Sequence, residues 1–100
     1  MPEYKAGRLA VSRAGHDRDR LYVVIGEEGD FLYLSDGRLK PVDRPKKKKK
    51  KHLQIAGETD LTERFGKGDA VSDEDIRRVL KAEKKRLSGG NPDDIIYQED

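Results

Sequence analysis

The chain has no cysteine and no tryptophan, two histidines, six aromatic residues in 100, and no apolar run longer than Leu21–Ile25. Each absence excludes something. Without cysteine there is no disulfide framework and no thiolate metal site, which fits a reducing, cytoplasmic setting. His16 and His52 are too few and too far apart in sequence to suggest a zinc centre. Five apolar residues in a row fall far short of the roughly 20 a membrane span needs, and no hydrophobic signal segment follows Met1-Pro2-Glu3. Apolar residues are scarce throughout, at 33% against 42% charged, where about a quarter charged is usual. Leu, Ile, Val and Phe total 22, just above the roughly 20% below which chains tend to stay unfolded. A core is possible, but a thin one.

Catalysis lacks its parts. A hydrolytic triad needs a nucleophile, a positioned base and an orienting group, yet both histidines sit among charged residues and each Ser or Thr has turn or cap chemistry to do. Gly26, Gly29, Gly66 and Gly68 are wrongly spaced for a phosphate loop or dinucleotide fingerprint. No enzyme activity, cofactor, metal or small-molecule substrate is expected.

The net charge of +2 hides an asymmetry. Residues 1–52 hold 14 Lys/Arg against 8 Asp/Glu, whereas residues 53–100 hold 8 against 12. Lys46–Lys51 supply the whole excess of the first half, since residues 1–44 balance at 8 against 8. One basic block on an otherwise neutral chain points to a polyanion-facing edge, for which nucleic acid is the commonest partner, although a solvated lysine loop gives the same pattern.

From Lys5 to Ala56 the pattern is strand and turn. Leu9 and Val11 alternate with Arg8, Ala10 and Ser12, the period of a half-buried strand. Leu21–Ile25 is β-branched and aromatic, as in a strand buried on both faces. Phe31–Leu34 follows a Gly-Glu-Glu-Gly-Asp turn, and Asp36-Gly37 signals a hairpin into a short edge strand at Leu39–Val42. His52–Ile55 alternates again as a closing strand. Five short strands in about 50 residues predict a mainly β fold, a small barrel or curled sheet over residues 1–56 that includes a basic loop at 44–51. Residues 57–71 read as a connector in which Leu61 and Phe65 dock a loop or short turn. A single C-terminal helix is expected over 72–88. Ser72 caps it, Ser72 and Asp75 have capping-box spacing, Val71 and Ile76 are placed for a staple, and Gly89-Gly90 stops it. The acidic tail, 89–100, is expected to be mobile.

Nucleic-acid binding has the better residues. Arg13, Gly15, His16, Arg18 and Arg20 cluster in the loop after the first strand, offering guanidinium groups and backbone N–H donors to phosphates. Asp17 and Asp19 argue for an ordered loop held by local hydrogen bonds. Lys46, Lys47, Lys48, Lys49, Lys50 and Lys51 would add a sequence-blind, salt-sensitive attraction. Tyr22 and Tyr33 have base-stacking chemistry but sit at strand positions where packing is the commoner role.

The segment Gly7-Arg8-Leu9-Ala10-Val11-Ser12-Arg13-Ala14-Gly15-His16-Asp17, followed by Leu21–Ile25, resembles a KOW motif, a strand, a glycine-bearing loop and a second strand. The basic run into His52-Leu53-Gln54, then Lys67-Gly68-Asp69-Ala70-Val71-Ser72-Asp73-Glu74-Asp75-Ile76-Arg77, is similar to the C-terminal half of large-subunit ribosomal proteins of the fourteen-e type. The resemblance covers about residues 5–87 and implies an SH3-like (KOW) β-barrel of about five strands with one appended helix. It also implies binding to ribosomal RNA, with contacts at Arg8, Ser12, Arg13, Gly15, His16 and the lysine run, in a translation-linked ribonucleoprotein that includes ribosomal proteins. Many KOW loops carry a second glycine; here Asp19 or a neighbour takes that place, and aspartate tolerates left-handed backbone better than most. The acidic tail fits a ribosome-associated factor, like the small stand-alone KOW proteins of bacteria, better than a core subunit. The alternative from another class is an SH3-like module docking a translation or transcription protein, because fold alone does not decide function.

Overall fold

The computed structural model describes residues 4–87, so the tail expected to be mobile and the end of the expected helix at residue 88 lie outside it. Five strands, β1 (Leu9–Ser12), β2 (Leu21–Glu28), β3 (Phe31–Ser35), β4 (Lys46–Lys49) and β5 (Leu53–Ile55), form one antiparallel sheet in the order β4-β3-β2-β1-β5. A 3-10 turn, Lys50–His52, joins β4 to β5, and two helices follow, α1 (Asp60–Lys67) and α2 (Asp73–Leu87). The expected β-rich architecture with a C-terminal helix is present.

Strand β2 organises the packing because it buries both faces. Val23, with Leu21 and Ile25 beside it, packs against Leu9 of β1 and against Leu61, Ile76, Val79 and Leu80 of the helices. Tyr22 and Val24 point the other way and join Ala10, Leu32 and Leu34, with Leu53 and Ile55 alongside. Strands β3 and β5 are three strand spacings apart in the ladder, about 14 Å if the sheet were flat. No described helix residue belongs to the cluster that includes both, yet Ala10, Tyr22, Val24, Leu32 and Leu34 are at most 2% exposed, so the sheet itself curls around them. A register shift between Val24 and Gly26 leaves Ile25 as the bulged residue of β2, and bulges increase strand bend and twist.

Three expectations are corrected. The lysine run is not a loop: Lys46–Lys49 pair with Leu34–Phe31 as a full edge strand, Lys46 opposite Leu34 and Lys49 opposite Phe31. Lysine has little β-propensity, but β3 would otherwise present an unpaired edge beside the core, and tertiary context overrides propensity. Second, Leu39–Val42 is not a strand. Ser35 Oγ donates to the Lys40 carbonyl at 2.8 Å, and the Asp36 carboxylate accepts from the Arg38 and Lys40 amides at 2.9 Å each. Residues 36–40 are thereby wrapped into a closed turn that leaves Leu39 75% exposed. Third, the connector contains α1, an eight-residue helix. Thr59 caps it with a reciprocal bond to Thr62, and the Thr59 hydroxyl also donates to the Gly7 carbonyl at 2.8 Å. Leu61 does dock, fully buried, as the sequence suggests.

Helix α2 begins as expected. The Ser72 backbone N–H donates to Asp75 Oδ2 at 3.0 Å and the Asp75 N–H to Ser72 Oγ at 3.2 Å. The Ser72 N–H and the Arg64 guanidinium hold the Asp75 carboxyl down to about 2. Gly37 lies against this end of the helix with φ +74, where an added Cβ would come 2.6 Å from the Asp73 carbonyl oxygen. Replacing Gly37 by Ala should therefore cost about 2–4 kcal/mol, from left-handed strain plus overpacking. Gly66→Ala inside α1, where the space is open, should gain about 0.5–1 kcal/mol. Urea midpoints of the two variants should move in opposite directions.

Candidate nucleic-acid interface

The loop between β1 and β2, residues 13–20, is folded by its own backbone. The Arg18 amide donates to Gly15, Arg20 to Asp17, and Asp19 to Ser12 at 2.7 Å, while Arg13 donates to the His52 carbonyl at 2.8 Å. Two residues take left-handed backbone, Gly15 at φ +84 and Asp19 at φ +72. Aspartate tolerates that conformation better than most residues.

Asp17 holds the loop down. Its residue is only 8% exposed, and its Oδ1 accepts from Ser12 Oγ at 2.9 Å and from Lys48 Nζ at 3.1 Å. Its Oδ2 accepts from the Tyr22 hydroxyl at 3.0 Å and lies 3.3 Å from Lys46 Nζ. Ser12, Tyr22, Lys46 and Lys48 share the inner face of the curled sheet through the alternation of β1, β2 and β4. One carboxylate therefore joins three strands at the sheet's mouth. Burial opposes its ionisation, but the donors from Lys48, Ser12, Tyr22 and Lys46 outweigh that and hold it well below the usual carboxylate range. Burial and the neighbouring Asp17 carboxylate push the Tyr22 phenol up.

With Asp17 turned inward, Arg13, His16, Arg18 and Arg20 are exposed. Arg13 Nε donates to Gln54 Oε1 at 2.9 Å and its Nη1 to Asp19 Oδ1 at 3.1 Å, so its guanidinium is oriented by β5 and by its own loop. Arg20 lies 3.6 Å from Asp36. His16 and Arg18 have no side-chain partner among the described residues. Gly15 is exposed at the tip, and a Cβ there would face Asp17 Oδ1 and Lys48 Nζ at 3.6 Å.

Two expected contacts are not brought into this set. Ser12 is fully buried and committed to Asp17 and Ala14. Arg8 lies before the other end of β1, its Nη2 donating to the Ala56 carbonyl at 2.8 Å and its Nη1 3.6 Å from Glu58. Tyr22 is core.

The lysines divide by alternation. Lys46 and Lys48 turn inward to Asp17, and Lys48 Nζ also donates to the Ala14 carbonyl at 3.0 Å. Lys47 turns outward, 3.8 Å from Glu28, with its ammonium 4.7 Å from the Phe31 ring centroid. Lys50 pairs with Glu27 and lies over the Tyr4 ring at 4.5 Å. Lys49 and Lys51 are exposed, with no ion-pair partner among the described residues. The run is therefore two structural cations, two balanced ones and two open ones. The loop and the lysine strand do adjoin, through Lys48. Sequence reasoning missed Asp17 as the hub, and it missed Phe31 and Gln54. No local signal divides six identical lysines; the alternation follows only from their pairing with β3.

No helix among the described residues is long and apolar enough to cross a membrane. The chain matches no family model and no curated protein.

Asp17→Asn should cost about 3 kcal/mol at neutral pH, because two partly buried ammonium groups lose their counter-ion. The sign of the pH dependence follows from the shifts. Asp17, with its folded pKa lowered, contributes stability that is complete above about pH 4 and is lost as pH falls towards the folded value. Tyr22, with its folded pKa raised, contributes stability that is complete below about pH 10 and is lost above it. Chemical denaturation from acid to alkaline pH should show both limbs, with the acid limb shallower in Asp17→Asn than in the wild type.

Proposed function

We propose that this chain is an RNA-binding protein of the KOW type, on an SH3-like barrel, and that ribosomal or other structured RNA is its ligand. The barrel reading is supported by the curl of the sheet around one inner cluster. The observation that carries the function is the inward anchoring of Asp17, which leaves Arg13, His16, Arg18 and Arg20 exposed on a loop with a fixed backbone. A loop ordered in advance spends less binding free energy on its own immobilisation.

In this mechanism the planar guanidinium groups of Arg13 and Arg18 make forked contacts to phosphates or base edges. His16 and the exposed Gly15 backbone at the tip let the RNA approach closely. Lys49 and Lys51, with Lys47 once Glu28 is displaced, supply the diffuse, salt-sensitive attraction. Lys46 and Lys48 act indirectly by holding the loop. The setting is cytoplasmic, and the partners are RNA and any ribosomal protein that lies beside it.

Affinity for a ribosomal RNA stem-loop, followed by fluorescence anisotropy across a salt series, tests this. The slope of log affinity against log salt should fall by about 0.9 for each phosphate that a variant no longer neutralises. Lys49→Gln with Lys51→Gln should flatten it, while Lys46→Gln with Lys48→Gln should lower thermal stability. Arg13→Ala or Arg18→Ala should weaken binding to the preferred stem-loop by about tenfold, or ~1–3 kcal/mol where the guanidinium forks onto a base edge. Salt-independent binding, or cellular pulldown that survives ribonuclease, would instead favour docking on a protein.

A further inference from the structure

The outer face of β3 and β4 carries two aromatic rings that the loop mechanism does not use. Phe31 and Tyr33 are two of only six aromatic residues in the chain, yet they belong to neither apolar cluster. The helices cover the outer face at β1 and β2, and both rings are only partly buried. Opposite them in the ladder stand Lys49 and Lys47, Phe31 paired with Lys49 and Tyr33 with Lys47. Residues directly opposite on antiparallel strands share a face, so rings and ammonium groups form one strip. The Lys47 ammonium lies 4.7 Å from the Phe31 centroid and 5.9 Å from that of Tyr33. Lys49 also lines an open cleft of about 410 Å³ with Asp30, Lys50 and Lys51, so the cationic track continues past the end of β4.

Resting on the RNA-binding reading, we infer that this strip takes unpaired nucleotides, bases stacking on Phe31 and Tyr33 while Lys47, Lys49 and Lys51 hold the phosphates between and beside them. Aromatic platforms beside a cationic track are the chemistry of single-stranded nucleic-acid binding, because every base has a face to stack and every step a phosphate. The spacing selects single strands. Rings two residues apart on a strand stand about 6.7 Å apart, roughly twice the ~3.4 Å rise per base of a duplex strand. Successive bases reach both rings only when the strand is unstacked and extended. Glu28 is paired into the strip, accepting from the Tyr33 hydroxyl and facing Lys47. These two partners hold its carboxyl below the ordinary value, so the free protein keeps the strip partly closed by an internal anion that a phosphate must displace.

The test compares octauridine with a blunt-ended RNA duplex as ligands for the full chain. The double variant Phe31→Leu/Tyr33→Leu keeps an apolar strand and should weaken octauridine binding by at least about tenfold, as removal of one stacked base does. Duplex binding should stay within about twofold. Glu28→Gln should raise octauridine affinity by several fold, a gain that unfolding cannot produce. Unchanged octauridine binding in the double variant, or no gain in Glu28→Gln, overturns the inference. So does equal weakening for both ligands. Wild-type protein that binds duplex or the ribosomal stem-loop but not octauridine sinks this inference alone, whereas binding to none of the three sinks the RNA-binding reading with it.

Discussion

Strands β4 and β5 end the sheet without bonding to each other, so no ladder joins β4 directly to the β1–β5 side. The Asp17 carboxylate spans that gap. It takes hydroxyl donors from β1 and β2 and two ammonium groups from β4, and it belongs to the loop whose arginines are the candidate RNA contacts. A buried carboxylate with a single partner would be a liability, because desolvation of charge can exceed the Coulombic return. Four donors change that balance and keep the group ionised. Fold and site therefore share one device: the contact that closes the open side of the sheet also sets the loop.

The lysines acquire a meaning that their count alone conceals. An edge strand of lysine is a known safeguard against pairing with another chain, and Lys47 and Lys49 serve that end whatever they bind. The inward pair is structural in a stricter sense, since Lys48 is largely buried against Asp17 and the Ala14 carbonyl. On the RNA-binding proposal, the cations offered to a ligand are thus a smaller and more ordered set than six consecutive lysines suggest, and part of it is balanced by Glu27 and Glu28.

Much of this was legible in the sequence. The buried character of Leu21–Ile25, the capping box at Ser72, the docking of Leu61 and the left-handed tolerance of Asp19 are local properties, set by periodicity or by a side chain's own backbone chemistry. What was not legible is non-local. Nothing in six identical lysines says that β3 lacks a partner and will take them as a strand. Asp36-Gly37 does make a turn, but Ser35 and Asp36 close it on Lys40 instead of passing the chain into a hairpin. Helix α1 offers only Leu61 and Phe65 as apolar residues in two turns, and its Thr59 cap is anchored by the distant Gly7. Asp17 sits among arginines in sequence, which points to them as its partners; its hydroxyl donors instead lie five residues away on either side, and its two ammonium partners 29 and 31 residues away.

The most direct check is the titration of the Asp17 side-chain carboxyl followed by carbon-13 NMR. An Asp17 that bridges three strands should stay ionised far into acid, with no inflection in the range of ordinary aspartates and with loss of the folded spectrum before its own midpoint. A clean midpoint near the unperturbed value of about 3.9, in a protein still folded, would mean that the ammonium and hydroxyl donors do not hold it. The loop would then owe its shape to something else.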